Sequence, residues 1–153
     1  MPEKARKSRV RISLAVLGLV MYGAAVALVT LTPKPIDHGL KSNIAALIDM
    51  MHSFGVPGWF GYTELEWTMN VVMFVPLGFC VTLALPAGRQ WVAIVLLPLT
   101  SIAIETAQYF LLPARFATVE DVLANSLGGL IGFLVAVVLR ALVHRRDATI
   151  RGE

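Results

Sequence analysis

Four apolar runs, each about as long as a bilayer is thick, decide most of what this chain can become. They extend from Ile12 to Leu31, from about Trp67 to Leu85, from Trp91 to Leu112 and from about Val122 to Val143. A helical span of the hydrocarbon core takes about 20 residues. Inside it every backbone N–H and C=O must be satisfied without water, which a helix does within its own segment. The runs are continuous rather than alternating, so helices are expected. The predicted fold is all-α: a polytopic membrane protein with a four-transmembrane-helix bundle. Composition agrees, with 57% hydrophobic and 15% charged residues, against about 25% charged in an ordinary soluble domain.

Basic residues set the expected orientation. Lys4, Arg6, Lys7, Arg9 and Arg11 precede the first run, Arg89 lies in the short loop after the second, and Arg140, Arg145, Arg146 and Arg151 close the chain. Ten of the thirteen Lys and Arg residues thus share one side, while Lys34, Lys41 and Arg115 fall on the other. The positive-inside rule then predicts cytoplasmic termini, with residues 32–66 and 113–120 facing outward. Three regions are expected: a basic segment 1–11, a membrane domain 12–143 and a basic tail 144–153. A cleaved signal peptide is the alternative for the first run, with Ala25-Val26-Ala27 as a cleavage site. The run exceeds the ~7–15 apolar residues of such a peptide, which favours an uncleaved span. The net charge of +3 does not indicate nucleic acid, because the basic residues sit at the ends of apolar runs. No internal repeat is evident. The single cysteine, Cys80, can form no internal disulfide.

The first outer segment carries Ile36, Leu40, Ile44, Leu47, Ile48 and Met51 at spacings near 3.6. That pattern predicts a short amphipathic helix, either lying on the membrane surface or capping the bundle. His52 has no neighbouring ligand residue, and no metal or other cofactor is expected. Trp59, Phe60, Tyr62 and Trp67 resemble an interfacial aromatic belt. Thr63 and Glu66 fit a capping box at the start of the second span.

Polar residues within spans carry the functional signal, because they are costly there. Ser101, Glu105 and Gln108 are spaced four and three apart, so they share one face of the third span, with Pro98 continuing it. At about 1.5 Å of rise per residue, Glu105 lies roughly 10 Å below the outer boundary. Asn70 in the second span and Asn125 in the fourth lie roughly 6 Å deep, and Asp121 is at the mouth. Asn70, Glu105, Gln108, Asp121 and Asn125 therefore reach one level, with Arg115 in the loop just above. Gly128 and Gly132 form a GxxxG spacing that allows close helix approach. An interhelical hydrogen bond contributes about 0.6 kcal/mol on average. A charged carboxylate costs about 2.5–3.5 kcal/mol at a helix centre. Packing alone therefore explains one amide better than it explains a buried acid beside a second acid.

At these residues the chain resembles the VanZ-like family of bacterial integral membrane proteins. Asn70 to Phe79, "NVVMFVPLGF", is similar to the family's Asn-x-x-x-Phe-x-Pro-x-Gly segment. Glu105 to Gly132, "ETAQYFLLPARFATVEDVLANSLGGLIG", is similar to its Glu-x-x-Gln segment, then Arg, then Asp-x-x-x-Asn-x-x-Gly. The resemblance covers the second to fourth spans. It implies that Asn70, Glu105, Gln108, Arg115, Asp121 and Asn125 are the family's polar residues, and that Pro76, Gly78 and Gly129 shape the helices. It implies a cell-envelope protein of the bacterial cytoplasmic (inner) membrane. The family's founding member is associated with teicoplanin resistance, so a role in glycopeptide resistance is among the implications.

Three functions fit these residues. A binding or accessory protein would hold the polar head of a lipid-linked envelope precursor, using Asn70, Gln108, Arg115 and Asn125. An enzyme on such a lipid would use Glu105 as general acid or base with Asp121 orienting its partner. A small proton-coupled transporter or flippase would carry its proton on Glu105 and require a homodimer. The first is the expectation taken forward, with membrane lipids or a lipid-linked precursor as partner.

Overall fold

The computed structural model describes residues 3–32, 39–112 and 118–151, with side chains for 12–32, 39–112 and 118–147. It is all-helical among those residues. The elements are α1 (Glu3–Thr30), α2 (Lys41–Ser53), α3 (Tyr62–Ala84), α4 (Val92–Leu111) and α5 (Val119–Arg151), with a 3-10 turn at Ala87–Arg89 between α3 and α4. Four helices are long and apolar enough to span a membrane, at Ile12–Thr30, Tyr62–Ala84, Val92–Leu111 and Val119–Asp147. The chain is a multi-pass, four-helix membrane protein.

Contacts give the direction of each helix. Asn70 of α3 meets Asp121 of α5 at one end of the bundle, and Leu83 and Leu85 meet Arg140 at the other. These two helices run parallel. Ser101 and Leu97 of α4 face Asn125 and Gly129, so α4 runs against α5. Tyr22 reaches Met73 and Gly18 approaches Cys80, so α1 runs against α3. The start of α1 and the end of α5 therefore share one end of the bundle. That end carries Arg89, Arg140, Arg145 and Arg146, and we term it the basic end. The opposite ends of α3, α4 and α5 carry Glu64, Glu66, Glu105, Glu120 and Asp121, and we term it the acidic end.

Packing is tightest between α3 and α5. Small residues make it possible. A Cβ placed on Gly128 would overlap the carbonyl oxygen of Val71, and one on Gly132 would overlap that of Val75. One on Gly78 would lie 2.8 Å from the Gly129 Cα. The two backbones are thus nearly in contact, as the GxxxG spacing predicts. Gly129 also faces Leu97, which seats α4 on the pair. The apolar core joins Val26, Phe74, Leu77, Ala93 and Leu97 from α1, α3 and α4.

Pro76 lies within α3. It has no N–H, so the carbonyl four residues earlier loses its donor. The Tyr22 hydroxyl donates to the adjacent carbonyl, that of Met73, at 2.8 Å. Side chains from neighbouring helices commonly satisfy backbone groups around a membrane proline in this way. At the basic end, Arg140 donates to the last carbonyls of α3, at 2.8 Å to Leu83 and 3.0 Å to Leu85. The Gln90 amide, with its oxygen turned toward this group, accepts from Arg140 Nη1 at 2.6 Å and Nε at 3.2 Å. A cation here meets the negative end of the α3 dipole. Arg140 thus fastens three segments together at the basic end as well as carrying charge.

Several boundaries differ from expectation. The second span starts at Tyr62 rather than Trp67, because Glu64 turns back to accept from the Gly61 N–H at 2.8 Å. The residue closing the start of α3 is therefore Glu64, on Gly61, rather than Glu66 on Thr63. The last helix continues past Val143 to Arg151. The amphipathic helix is α2, with Ile44, Ile48 and Met51 half-buried and Leu40, Leu47 and Met50 exposed. Ile36 lies outside the described residues. Gly55, at φ 94, ends this helix in the left-handed region that glycine adopts freely. His52 Nε2 then donates to the Phe60 carbonyl at 2.9 Å, tying the loop to the helix it leaves.

Candidate functional site

The face of α4 that turns inward is Ala93, Leu97, Ser101, Glu105 and Gln108, all buried. The steps of four, four, four and three follow the helical repeat, so the face changes from apolar to polar as it approaches the acidic end. Glu105 is 9% exposed and Gln108 6%. On α5 the corresponding face is Asp121, Asn125, Gly128 and Gly132. Its small residues lie deep, where the backbones touch. Its polar residues lie above them, where the helices leave room for side chains.

Four polar links tie this layer together. Asn70 Nδ2 donates to Asp121 Oδ1 at 2.6 Å, joining α3 to α5. Thr118 Oγ1 donates to Asp121 Oδ2 at 2.8 Å, and the Asp121 N–H returns a bond to Thr118 Oγ1 at 3.1 Å. This reciprocal pair closes the first turn of α5 and fixes the carboxylate that receives Asn70. Asn125 Nδ2 donates to Ser101 Oγ at 3.0 Å, joining α5 to α4. Gln108 Nε2 donates to the Thr30 carbonyl at 2.9 Å, joining α4 to α1. Thr30 belongs to the last turn of α1, whose carbonyls have no intrahelical donor. Gln108 supplies one from another helix.

The layer has two levels. Asp121, Asn70 and Gln108 form the upper level, nearer the acidic end. Glu105 and the Asn125–Ser101 pair lie about one helical turn deeper, since Glu105 is three residues below Gln108 and Asn125 four below Asp121. Asn125 is 3% exposed, and its Oδ1 accepts no hydrogen bond among the described residues.

Five of the six sequence-predicted residues are thereby brought to one end of the bundle: Asn70, Glu105, Gln108, Asp121 and Asn125. Arg115 lies outside the described residues. Sequence reasoning missed Thr30 and Thr118. Thr118 was legible, since Thr-x-x-Asp at the start of an apolar run is a helix-opening pattern. Thr30 contributes a backbone carbonyl, which leaves no trace in residue identity. Among the described residues no group of three or more His, Cys, Asp or Glu is placed to hold a metal ion.

Comparison with known proteins gives one family. No curated protein and no solved structure matches the chain. The family model for VanZ/LLP1 matches residues 14–140, which reaches into all four spans and takes in every residue of the polar layer. The chain belongs to the VanZ/LLP1 family.

Proposed function

We propose that the polar layer binds the head of a lipid-linked cell-envelope precursor from the outer leaflet, with the lipid tail running between or beside the spans. One observation carries this reading: a carboxyl group, Glu105, is buried within a membrane span at the level of Asn70, Gln108, Asp121 and Asn125. Intramembrane acids that face a bundle interior mark functional sites by default. The hydrogen bonds of this layer join α1, α3, α4 and α5, so the layer is assembled by the whole fold. Asp121 receives Asn70 and Thr118 on its two oxygens, which suits a positioning role. Glu105, one turn deeper, is the group to meet a ligand.

The acidic end is external and both termini cytoplasmic in this proposal, a reading supported by the gathering of basic residues at the other end. Single-cysteine labelling tests this in a Cys80→Ser background. Arg115→Cys is expected to react with an impermeant maleimide in intact cells. Reaction only after lysis would put the polar layer on the cytoplasmic side and end the proposal as stated.

Binding itself is tested by mass spectrometry of lipids retained on the purified protein. Enrichment of a lipid-linked envelope precursor over bulk phospholipid is expected, and Glu105→Gln is expected to abolish it. Bulk composition in both proteins would overturn the reading. Conversion of that lipid by the purified wild type would instead make Glu105 a general acid or base. A link to teicoplanin-type resistance is tested by the glycopeptide sensitivity of a deletion strain.

A further inference from the structure

We propose that α2 lies in the lipid surface of the membrane its own spans cross, with one apolar stripe against the bundle and a second in the headgroup–acyl boundary. Three stripes run along this helix and its caps. Ile44, Ile48 and Met51 are half-buried. Leu40, Leu47, Met50 and Phe54 are exposed, Phe54 by 83%. Ser42, Asp49 and Ser53 are exposed and polar. Within each stripe the residues are three, four or seven apart, the spacings that keep side chains on one helix face. The exposed apolar stripe is therefore distinct from the one that packs on the protein. A helix that only capped the bundle would need one apolar stripe, and no residue of α2 is buried.

Position in the fold names the occupant of the second stripe. α2 meets α3. His52, in the last turn of α2, donates to the Phe60 carbonyl at 2.9 Å, just before α3 begins at Tyr62. The end of α2 is thereby held at the level where a span enters the membrane. Phe54, the last residue of the stripe, leads along the chain into Trp59, Tyr62 and Trp67, all exposed. Such rings favour the membrane–water interface. A protein partner fits less well. The four side chains of the stripe, 40% to 83% exposed, offer on the order of 400 Å², against about 800 Å² per partner in a stable complex. Charge does not draw the helix to the surface either, because Lys41 and Asp49 balance within it. Apolar burial is the driving force, and the polar stripe faces water.

The test is electron paramagnetic resonance of single nitroxide labels on the full chain, in a Cys80→Ser background, at low protein density in phosphatidylcholine vesicles. Dioxygen concentrates among acyl chains, and a nickel chelate stays in water. At Leu47→Cys and Phe54→Cys, collisions with dioxygen are expected to exceed those with nickel. At Ser42→Cys and Asp49→Cys the ratio is expected to invert. All four positions are exposed, so labelling them leaves the packed stripe intact. The same ratios are expected when phosphatidylglycerol replaces part of the phosphatidylcholine. Nickel exceeding dioxygen at positions 47 and 54 would overturn the proposal, because the helix would then stand clear of the lipid. Protection from both reagents there would also overturn it, by showing a protein surface, a second copy or another chain, on the stripe. Lipid contact that appears only with phosphatidylglycerol would overturn seating by apolar burial.

Discussion

Gly132→Leu is expected to prevent stable assembly of the bundle, with little monodisperse protein recovered in detergent. The reason is local. Gly132 packs where α3 and α5 are almost backbone to backbone, and even a Cβ there overlaps the Val75 carbonyl and comes within 2.7 Å of the Phe79 nitrogen. These are main-chain atoms and cannot rotate away. Overpacking a core costs typically 1–3 kcal/mol when side chains can adjust; here the helices themselves must separate. Separation would also draw Asn70 from Asp121 and Gly78 from Gly129. Gly132→Ala is expected to destabilise in the same direction, by less. Gly23→Ala is the matched control, since nothing lies within 4 Å of a Cβ at that position. It should be neutral or gain up to about 1 kcal/mol from helix propensity. Thermal melts in detergent, followed by size exclusion, read all three. Wild-type stability in Gly132→Leu would show that α3 and α5 do not meet at this face.

Glu105→Gln should have the opposite profile, with the fold kept and the function lost. Glutamine preserves shape and hydrogen-bonding capacity while removing the ionisable proton and the charge. If Glu105 only held helices together, the change would be neutral or stabilising, because it replaces a group costing about 2.5–3.5 kcal/mol at a helix centre. If Glu105 meets a ligand, the phenotype of the deletion strain should return at normal expression and unchanged melting temperature. Asp121→Asn should impair the same function more weakly, since it retains an oxygen for Asn70. Arg115→Ala, combined with Glu105→Gln in a mutant cycle, measures any coupling between those two charges. Full function in Glu105→Gln would leave Glu105 as packing.

Much of this arrangement was legible in the sequence because membrane insertion removes alternatives. Once four runs must be helices of known rise, the level of Asn70, Glu105, Asp121 and Asn125 follows from counting residues, and their convergence follows from the alternation of direction. The Gly128–Gly132 contact was legible for a similar reason, since a close approach requires the absence of side chains. Helix starts were less so. Hydropathy detects the apolar portion of α3 and misses its first turn, which Glu64 closes at Gly61. The identities of partners were least legible. Gln108 bonds a main-chain carbonyl on α1, and Arg140 bonds two on α3. Any residue type could have supplied those oxygens. Arg140 was also read as a topology charge, and that reading hides its second role.

The parallel pairing of α3 with α5 has a consequence for how the chain is made. Asn70 and its partner Asp121 are separated by 51 residues, with the whole of α4 between them. At about 5–20 residues per second, synthesis delivers Asp121 several seconds after Asn70. During that interval α3 must wait with its amide and its glycine notch unmatched by the helix that will fill them. A neighbour that holds nascent spans, or the insertion machinery itself, would shelter α3 until the last helix emerges. The tightest joint of the finished protein is thus the last one the ribosome can complete.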